Sequence, residues 1–237
     1  IWANENWSDN PAFGESKHII KNEYNDIDEH CLSLIKCFQH KNYYKIKNKP
    51  VFYIHHPWLI NVSKLNEIYN KLDRICKKNN FDGIHLKFNS MIIHMDINLQ
   101  LLHNKFFYDF NPIYKNSNSN ICVNKENCAV LLDYDDYIDK MELQSNTQTI
   151  FFDFDNYARL SRPNRLNKRT KCSNNNINSH VRYIQKIRKY FNSKPPDNQD
   201  PFMLLINAFN EWGEKMHIEP SEKYGTYFLD LISNFFK

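Results

Sequence analysis

Two glutamates three residues apart, Glu211 and Glu214, stand inside Asn207-Ala-Phe-Asn-Glu-Trp-Gly-Glu-Lys-Met-His-Ile-Glu-Pro220. Paired carboxylates are what cleavage of a glycosidic bond requires, one held protonated as acid and the other acting as base or nucleophile. A spacing of three at a strand end or in a first turn brings both towards one cavity. Their proximity pushes the two pKa values apart, which supplies acid and base together. An isolated pair at this spacing is common as loop charge. Here Asn210, Trp212, His217 and Glu219 crowd around it, a set that no strand buries without purpose, because each unpaired polar group carries a desolvation cost.

Three other stretches offer sugar-binding chemistry. Asn4, Glu5 and Asn6 can hydrogen-bond hydroxyls, and Trp2, Trp7 or Trp212 can stack on a pyranose face or pack in a core. His55 and His56 end an apolar run with no second ligand at metal spacing, so His56 reads as a hydrogen-bonding residue. Asp155, Asn156 and Arg159 form a polar cluster read as substrate-binding. Asp153 and Asp155 also make a DxD pattern, by which many nucleotide-sugar transferases hold a divalent metal, and Asp133 with Asp135 makes another. The second falls in a predicted helix, where the two side chains diverge. The expectation is carboxylate chemistry with no metal and no cofactor; the rivals are a metal-dependent nucleotide-sugar transferase using Asp153 and Asp155, and an inactive glycan-binding module.

These residues need elements to position them. Phe202–Ile206 is a short apolar run behind the breakers Lys194-Pro-Pro-Asp-Asn-Gln-Asp-Pro201, the pattern of a strand buried on both faces of a parallel sheet. Its carboxyl end opens into the glutamate cluster, where parallel α/β folds keep their sites. Strands are likewise predicted at 49–57, 82–89, 106–112 and 149–155. Helices are predicted at 27–38, 63–78 with Ser63 as N-cap, 126–141, 177–191 and 224–236. Residues 113–125 and 156–175 read as loops, and the Asn clusters at 116–120 and 174–178 as low-complexity insertions.

Strand and helix alternate about six times, and a barrel is favoured over an open sheet. Glycine occurs only four times, so no GxGxxG or P-loop exists, and each strand ends in polar residues of a different kind. The fold class is α/β, a (β/α)8 TIM barrel read as N-terminally truncated, with about six of eight units in a single domain over 1–237. The chain opens at Ile1 inside a motif, which is why the first two units are expected to be missing.

At 237 residues, 41% apolar and 15% aromatic, the chain can bury a sizeable core. The net charge of +4 is mild. The basic run from Arg159 to Lys171 lies among Asn and Pro and reads as a solvated loop, so no nucleic-acid partner is expected. No apolar run approaches the ~20 residues that a membrane helix needs. Six cysteines without CxxC spacing read as free thiols in a reducing compartment. A cytoplasmic location follows; the sequons at Asn6 and Asn61 matter only in the secretory pathway.

The segment from Asn207 to Pro220, followed by Tyr224-Gly225 and a closing helix, resembles the WbsX-type glycosyltransferase family. That family is grouped with the glycoside hydrolase family 99 endo-α-mannosidases as a (β/α)8 barrel. Trp2-Ala-Asn-Glu-Asn-Trp7, Lys49-Pro-Val-Phe-Tyr-Ile with Pro57, and Asp155-Asn-Tyr-Ala-Arg159 are similar to its other motifs, in the same order. The resemblance covers essentially the whole chain. It implies a glycan or polysaccharide substrate, with a mannosyl unit the nearest parallel. It also implies that Glu211 helps the sugar 2-hydroxyl act as internal nucleophile while Glu214 is the acid/base. Lys215 stands where that pattern usually has Gly, and its ammonium is expected either to pair with a catalytic carboxylate or to point to solvent.

Overall fold

A computed structural model of the chain describes residues 26–89, 106–108, 120–122, 128–143, 145–156, 170–195, 197–198 and 200–235. They fall into two compact units, the first ending at Tyr108 but including 198–200, the second holding the rest.

In the first unit, α1 (Ile27–Phe38) buries Ile27, Cys31, Ile35 and Phe38, one stripe of a 3.6-residue period. It packs with α2 (Val62–Lys78), which buries Leu65, Ile68, Leu72 and Cys76. The cap of α2 is Asn61, whose side chain accepts from the Lys64 amide at 2.8 Å. Ser63, expected to cap, is already helical. An amide oxygen caps as well as a hydroxyl, and Asn61 stands in the extended conformation a cap requires.

β1 (Lys45–Ile46) pairs antiparallel with β2 (Lys49–Ile54), which runs parallel to β3 (His85–Asn89), and β3 parallel to β4 (Phe106–Tyr108). Every residue of β3 is buried. Leu86 and Phe88 join the core under α1 and α2, while His85 and Lys87 alternate onto the other face. Gly83, at φ +116°, precedes β3. A side chain there would collide with Asp73, whose carboxylate accepts the Ile84 amide at 3.1 Å.

In the second unit, β5 (Asn120–Cys122) pairs antiparallel with β6 (Cys128–Asp133), and β6 runs parallel to β8 (Thr170–Ser173). α3 (Tyr134–Lys140) lies between β6 and β7 (Thr147–Ile150). α4 (Ile177–Asn192) leads to β9 (Met203–Ile206), which is parallel to β7. A hairpin of β10 (Asn210–Glu211) and β11 (Met216–His217) follows, and α5 (Tyr227–Phe235) ends the described chain. Tyr134, Tyr137, Phe151, Phe152, Tyr183 and Phe228 form the middle of the core.

Three expectations are corrected here. Residues 126–141 are not one helix: the apolar run 128–133 is a strand, and Asp133 caps α3 by accepting the Asp136 amide at 3.0 Å. Periodicity alone does not separate a short buried strand from a helix. The segments read as loops contain β5 and β8. The Asn cluster at 174–178 is structural: Asn174 sits at φ 54°, and Asn176 caps α4 through the amides of Asn178 and Ser179. The α/β alternation holds, and neither unit closes a barrel by itself among the described residues.

Cys31, Cys37, Cys76 and Cys172 are free thiols, and burial raises Cys31 to about 11 and Cys76 to about 12. Among the described residues no helix is long and apolar enough to cross a membrane.

Lys87 is fully buried and its ammonium bonds the Asp200 carboxylate, with His85 Nε2 3.7 Å from the same oxygen. Burial alone would raise the Asp200 pKa; the bonds and charges of His85 and Lys87 outweigh it and hold the carboxyl below its usual range. A depressed folded pKa gives stability that is present above the unfolded value of ~3.9 and lost as pH falls through the folded one. Asp200→Ala is therefore expected to cost about 3–5 kcal/mol by stranding a buried ammonium, and Asp200→Leu with Lys87→Met to recover most of it. Urea titrations from pH 6 to pH 3 check both points, with the wild type losing stability more steeply than the double variant.

Candidate active site

The site grows from the ends of β7 and β9. The ladder between them runs from Thr147–Met203 to Ile150–Ile206, and the Asn207 amide extends it to the Ile150 carbonyl at 2.9 Å. Past β7 the backbone leaves the sheet but stays buried through Phe151, Phe152 and Phe154. Its carbonyls find side-chain donors, Tyr134 at 2.6 Å from Phe151 O and His180 Nε2 at 2.8 Å from Phe152 O, while within β7 Tyr183 reaches Thr149 O at 2.9 Å. The predicted strand over 149–155 therefore stops at Ile150, because these aromatic donors replace a neighbouring strand.

After a cis Asn207–Ala208 peptide the chain forms the hairpin, pairing Asn210 with His217 and Glu211 with Met216. The Ile218 and Glu219 amides both donate to Phe209 O at 3.0 Å. Between the strands, Trp212–Glu214 is a single 3₁₀ turn, ended by Lys215 in the left-handed conformation at φ 58°. This turn separates the half-buried Glu211 from the half-buried Glu214.

The turn is tied back to β7 and β8. Asp155 donates its amide to Glu214 O at 2.8 Å and forms a bridge with Lys171. The Lys215 ammonium lies 3.1 Å from Asp155 Oδ2, and that of Lys171 4.0 Å from the same oxygen. Lys215 was expected to meet a catalytic carboxylate or solvent; its partner is Asp155, the anion its turn delivers it to. Asn156 is buried beside it.

Trp212 is half exposed, donates Nε1–H to Glu219 Oε2 at 2.6 Å, and stacks on His217 with ring centroids 3.6 Å apart. Burial lowers the His217 pKa against the opposing charges of Asp153 and Glu219. Asp153 turns its Oδ1 to the Phe154 amide at 2.8 Å. In the other DxD, Asp133 caps α3 while Asp135 pairs with Arg182 at 2.8 Å, so the two carboxylates part as expected.

The second unit thus gathers Asp155, Asn156, Asn210, Glu211, Trp212, Glu214, His217 and Glu219. His56 belongs to the first unit, beyond the end of β2, 4.1 Å from the His55 ring and 5.0 Å from Trp58. Burial first, then the neighbouring His56, pushes His55 down to about 4. Asn4, Glu5, Asn6, Trp7 and Arg159 lie outside the described residues. Sequence reasoning missed Lys171, hidden in a basic run read as solvent-facing, and Phe209, an aromatic that stands exposed beside Asn210. It also missed Gly213, where a Cβ would lie 3.1 Å from Glu211 Oε1.

The second unit thus carries carboxylates, amides and an exposed indole beyond the ends of its parallel strands. Residues 1–232 match the model of the glycosyltransferase WbsX family, and the chain belongs to that family. Among solved structures, it is similar to a glycoside hydrolase-like protein at 13% identity and TM-score 0.52, covering 95% of this chain and 64% of that one. It is also similar to the GH99 endo-alpha-mannosidase from Bacteroides thetaiotaomicron at 11% identity and TM-score 0.49, covering 91% of this chain and 64% of that one. The chain spans less than two thirds of the length of both, and the likeness to the first, at 13% identity, is one of fold. No curated protein sequence matches it significantly.

Two substitutions test the turn. A left-handed residue other than Gly costs roughly 1–2 kcal/mol, and an exposed ion pair returns about 0–1. Lys215→Gly is therefore expected to shift unfolding free energy by less than about 1 kcal/mol; a loss beyond ~2 kcal/mol by urea titration would mean that the Asp155 pair is far stronger than its exposure allows. Gly213→Ala meets only the flexible end of Glu211. It is expected to melt within about 2 °C of wild type and to turn the Glu211 carboxylate aside, visible in a crystal structure of the variant.

Proposed function

We propose that this chain belongs to a (β/α)8 enzyme that cleaves or transfers a glycosyl unit of a glycan through Glu211 and Glu214, with a mannosyl unit as the first candidate. The observation that carries this is the half-buried carboxylate pair, one 3₁₀ turn apart, directly beyond the carboxyl end of the parallel strand β9. In this reading Glu211 takes the proton of the sugar 2-hydroxyl. The freed O2 attacks C1 while Glu214 protonates the departing glycosidic oxygen. Water or an acceptor hydroxyl then opens the 1,2-anhydro sugar, giving its proton to Glu214, and Glu211 returns its proton to O2. Asp155, Asn156, Asn210 and His56, with Asn4, Glu5, Asn6, Trp7 and Arg159, supply substrate contacts, and no metal takes part. The metal-dependent alternative has less support, because Asp155 Oδ2 already faces two ammonium groups.

The test is incubation of the full-length protein, without added metal, with α-mannosides and lipid-linked glycans beside Glu214→Gln and Asp153→Asn. Loss of general acid/base catalysis is expected to lower turnover about 10²–10⁴-fold in Glu214→Gln and to leave Asp153→Asn near wild type. Product analysis separates hydrolysis from transfer. Turnover that needs Mn²⁺ and a nucleotide sugar, and that dies with Asp153→Asn, sinks the paired-glutamate mechanism; sugar binding indifferent to Glu214→Gln, with no turnover, marks a binding module.

A further inference from the structure

The hairpin carries two large aromatic side chains on its surface, Phe209 at 56% and Trp212 at 50% exposure. Among the described residues only six large apolar side chains are so exposed, and these are the only two within four positions of each other. They bracket Asn210 and Glu211. An exposed aromatic in a core-forming role is a contradiction, and chance exposure does not come with a rigid mount. Trp212 has one. One face of its indole is covered by His217 at 3.6 Å and an interplanar angle of 14°, and its Nε1–H is fixed by Glu219 at 2.6 Å. Two polar side chains are thus committed to holding an indole whose remaining surface stays in water. His217 Nδ1 is buried and meets no hydrogen-bond partner among the described residues, so stacking is the contact that locates the imidazole.

A flat apolar face with a polar margin matches a pyranose, whose C–H bonds crowd one face while its hydroxyls project at the rim. We infer that Phe209 and Trp212 form a stacking platform for pyranose rings on either side of Glu211, with His217 and Glu219 as positioning residues that hold the indole. The ligand class is then an oligosaccharide of at least two pyranose units, not a glycoside of a single sugar. This rests on reading Glu211 and Glu214 as the sugar-handling pair. It changes the role of His217 and Glu219 from direct sugar ligands to supports.

The test uses the full-length protein carrying Glu214→Gln, so that ligands bind without turnover. It is screened on an array of pyranose glycans one to six units long, and the best binder is then measured calorimetrically. An aromatic contact of about 0.5–1.5 kcal/mol corresponds to roughly two- to tenfold in affinity. Phe209→Ala and Trp212→Ala are each expected to weaken binding by that factor, Trp212→Phe to stay within about twofold, and Glu219→Gln to fall between them. The parent is expected to prefer two or more units over one, and Phe209→Ala with Trp212→Ala to abolish that preference. Should Trp212→Ala fail to fold by circular dichroism, the comparison of Glu219→Gln with Trp212→Phe decides the matter. Unchanged affinity in the aromatic variants, or no glycan retained by the parent, overturns the platform. Turnover that depends on Glu214 alongside unaltered binding in the aromatic variants removes the platform and leaves the catalytic reading standing. Aromatic-dependent binding without such turnover does the reverse.

Discussion

Buried backbone beyond the end of β7 is the constraint on which the second unit depends. From Phe151 to Phe154 the chain has left its ladder and yet remains inside the protein, where each unpaired polar group would cost about 1–3 kcal/mol. Tyr134 and His180 answer this from the start of α3 and from α4. Main-chain bonds from Cys172 to Phe154 O and from Asp155 to Glu214 O complete it. The same bonds that satisfy the segment draw β8 and the hairpin onto it. The place where Glu211 and Glu214 sit is therefore tied to the hydrogen-bond accounting of the segment beyond β7.

That origin explains which parts of the fold were legible. Where burial imposes a period, the sequence states it: α1 and α4 begin and β9 ends where their apolar patterns do, and β2 and β3 are short runs between breakers. Where a partner strand or a cap decides, the sequence is silent. Residues 128–133 carry an apolar run that serves a strand or a helix equally, and Thr170–Ser173 is too short for any period to declare itself. The Asn-rich stretch at 174–178 looked like filler because composition does not reveal that Asn tolerates φ 54° at 174 and caps a helix at 176.

The candidate site divides in the same way. Residue types suggested carboxylate chemistry and sugar contact, and the fold brings Glu211, Glu214, Asn210 and Trp212 into one hairpin. What the types could not tell is who holds whom. Lys215 reaches Asp155 across sixty positions of sequence, and Glu219 spends a carboxylate on Trp212 instead of leaving it for a hydroxyl. Pairings of that kind follow from a hairpin folding back on itself, which spacing does not encode. Family membership is shown over 1–232; the contacts come from the fold alone.

A two-residue strand, one turn of 3₁₀ helix and a left-handed lysine make a weak element, and catalytic geometry tolerates only small errors. The hairpin is stiffened from both ends by side chains outside the pair it presents. At one end the Trp212 indole is held by Glu219 and His217; at the other, Lys215 and the Glu214 carbonyl are held by Asp155. Between those anchors stands Gly213, where a side chain would crowd the Glu211 carboxylate. The backbone beneath the two glutamates is thereby fixed. The proton exchange proposed for the pair would draw on that mounting, which locked neighbours provide without any long regular element.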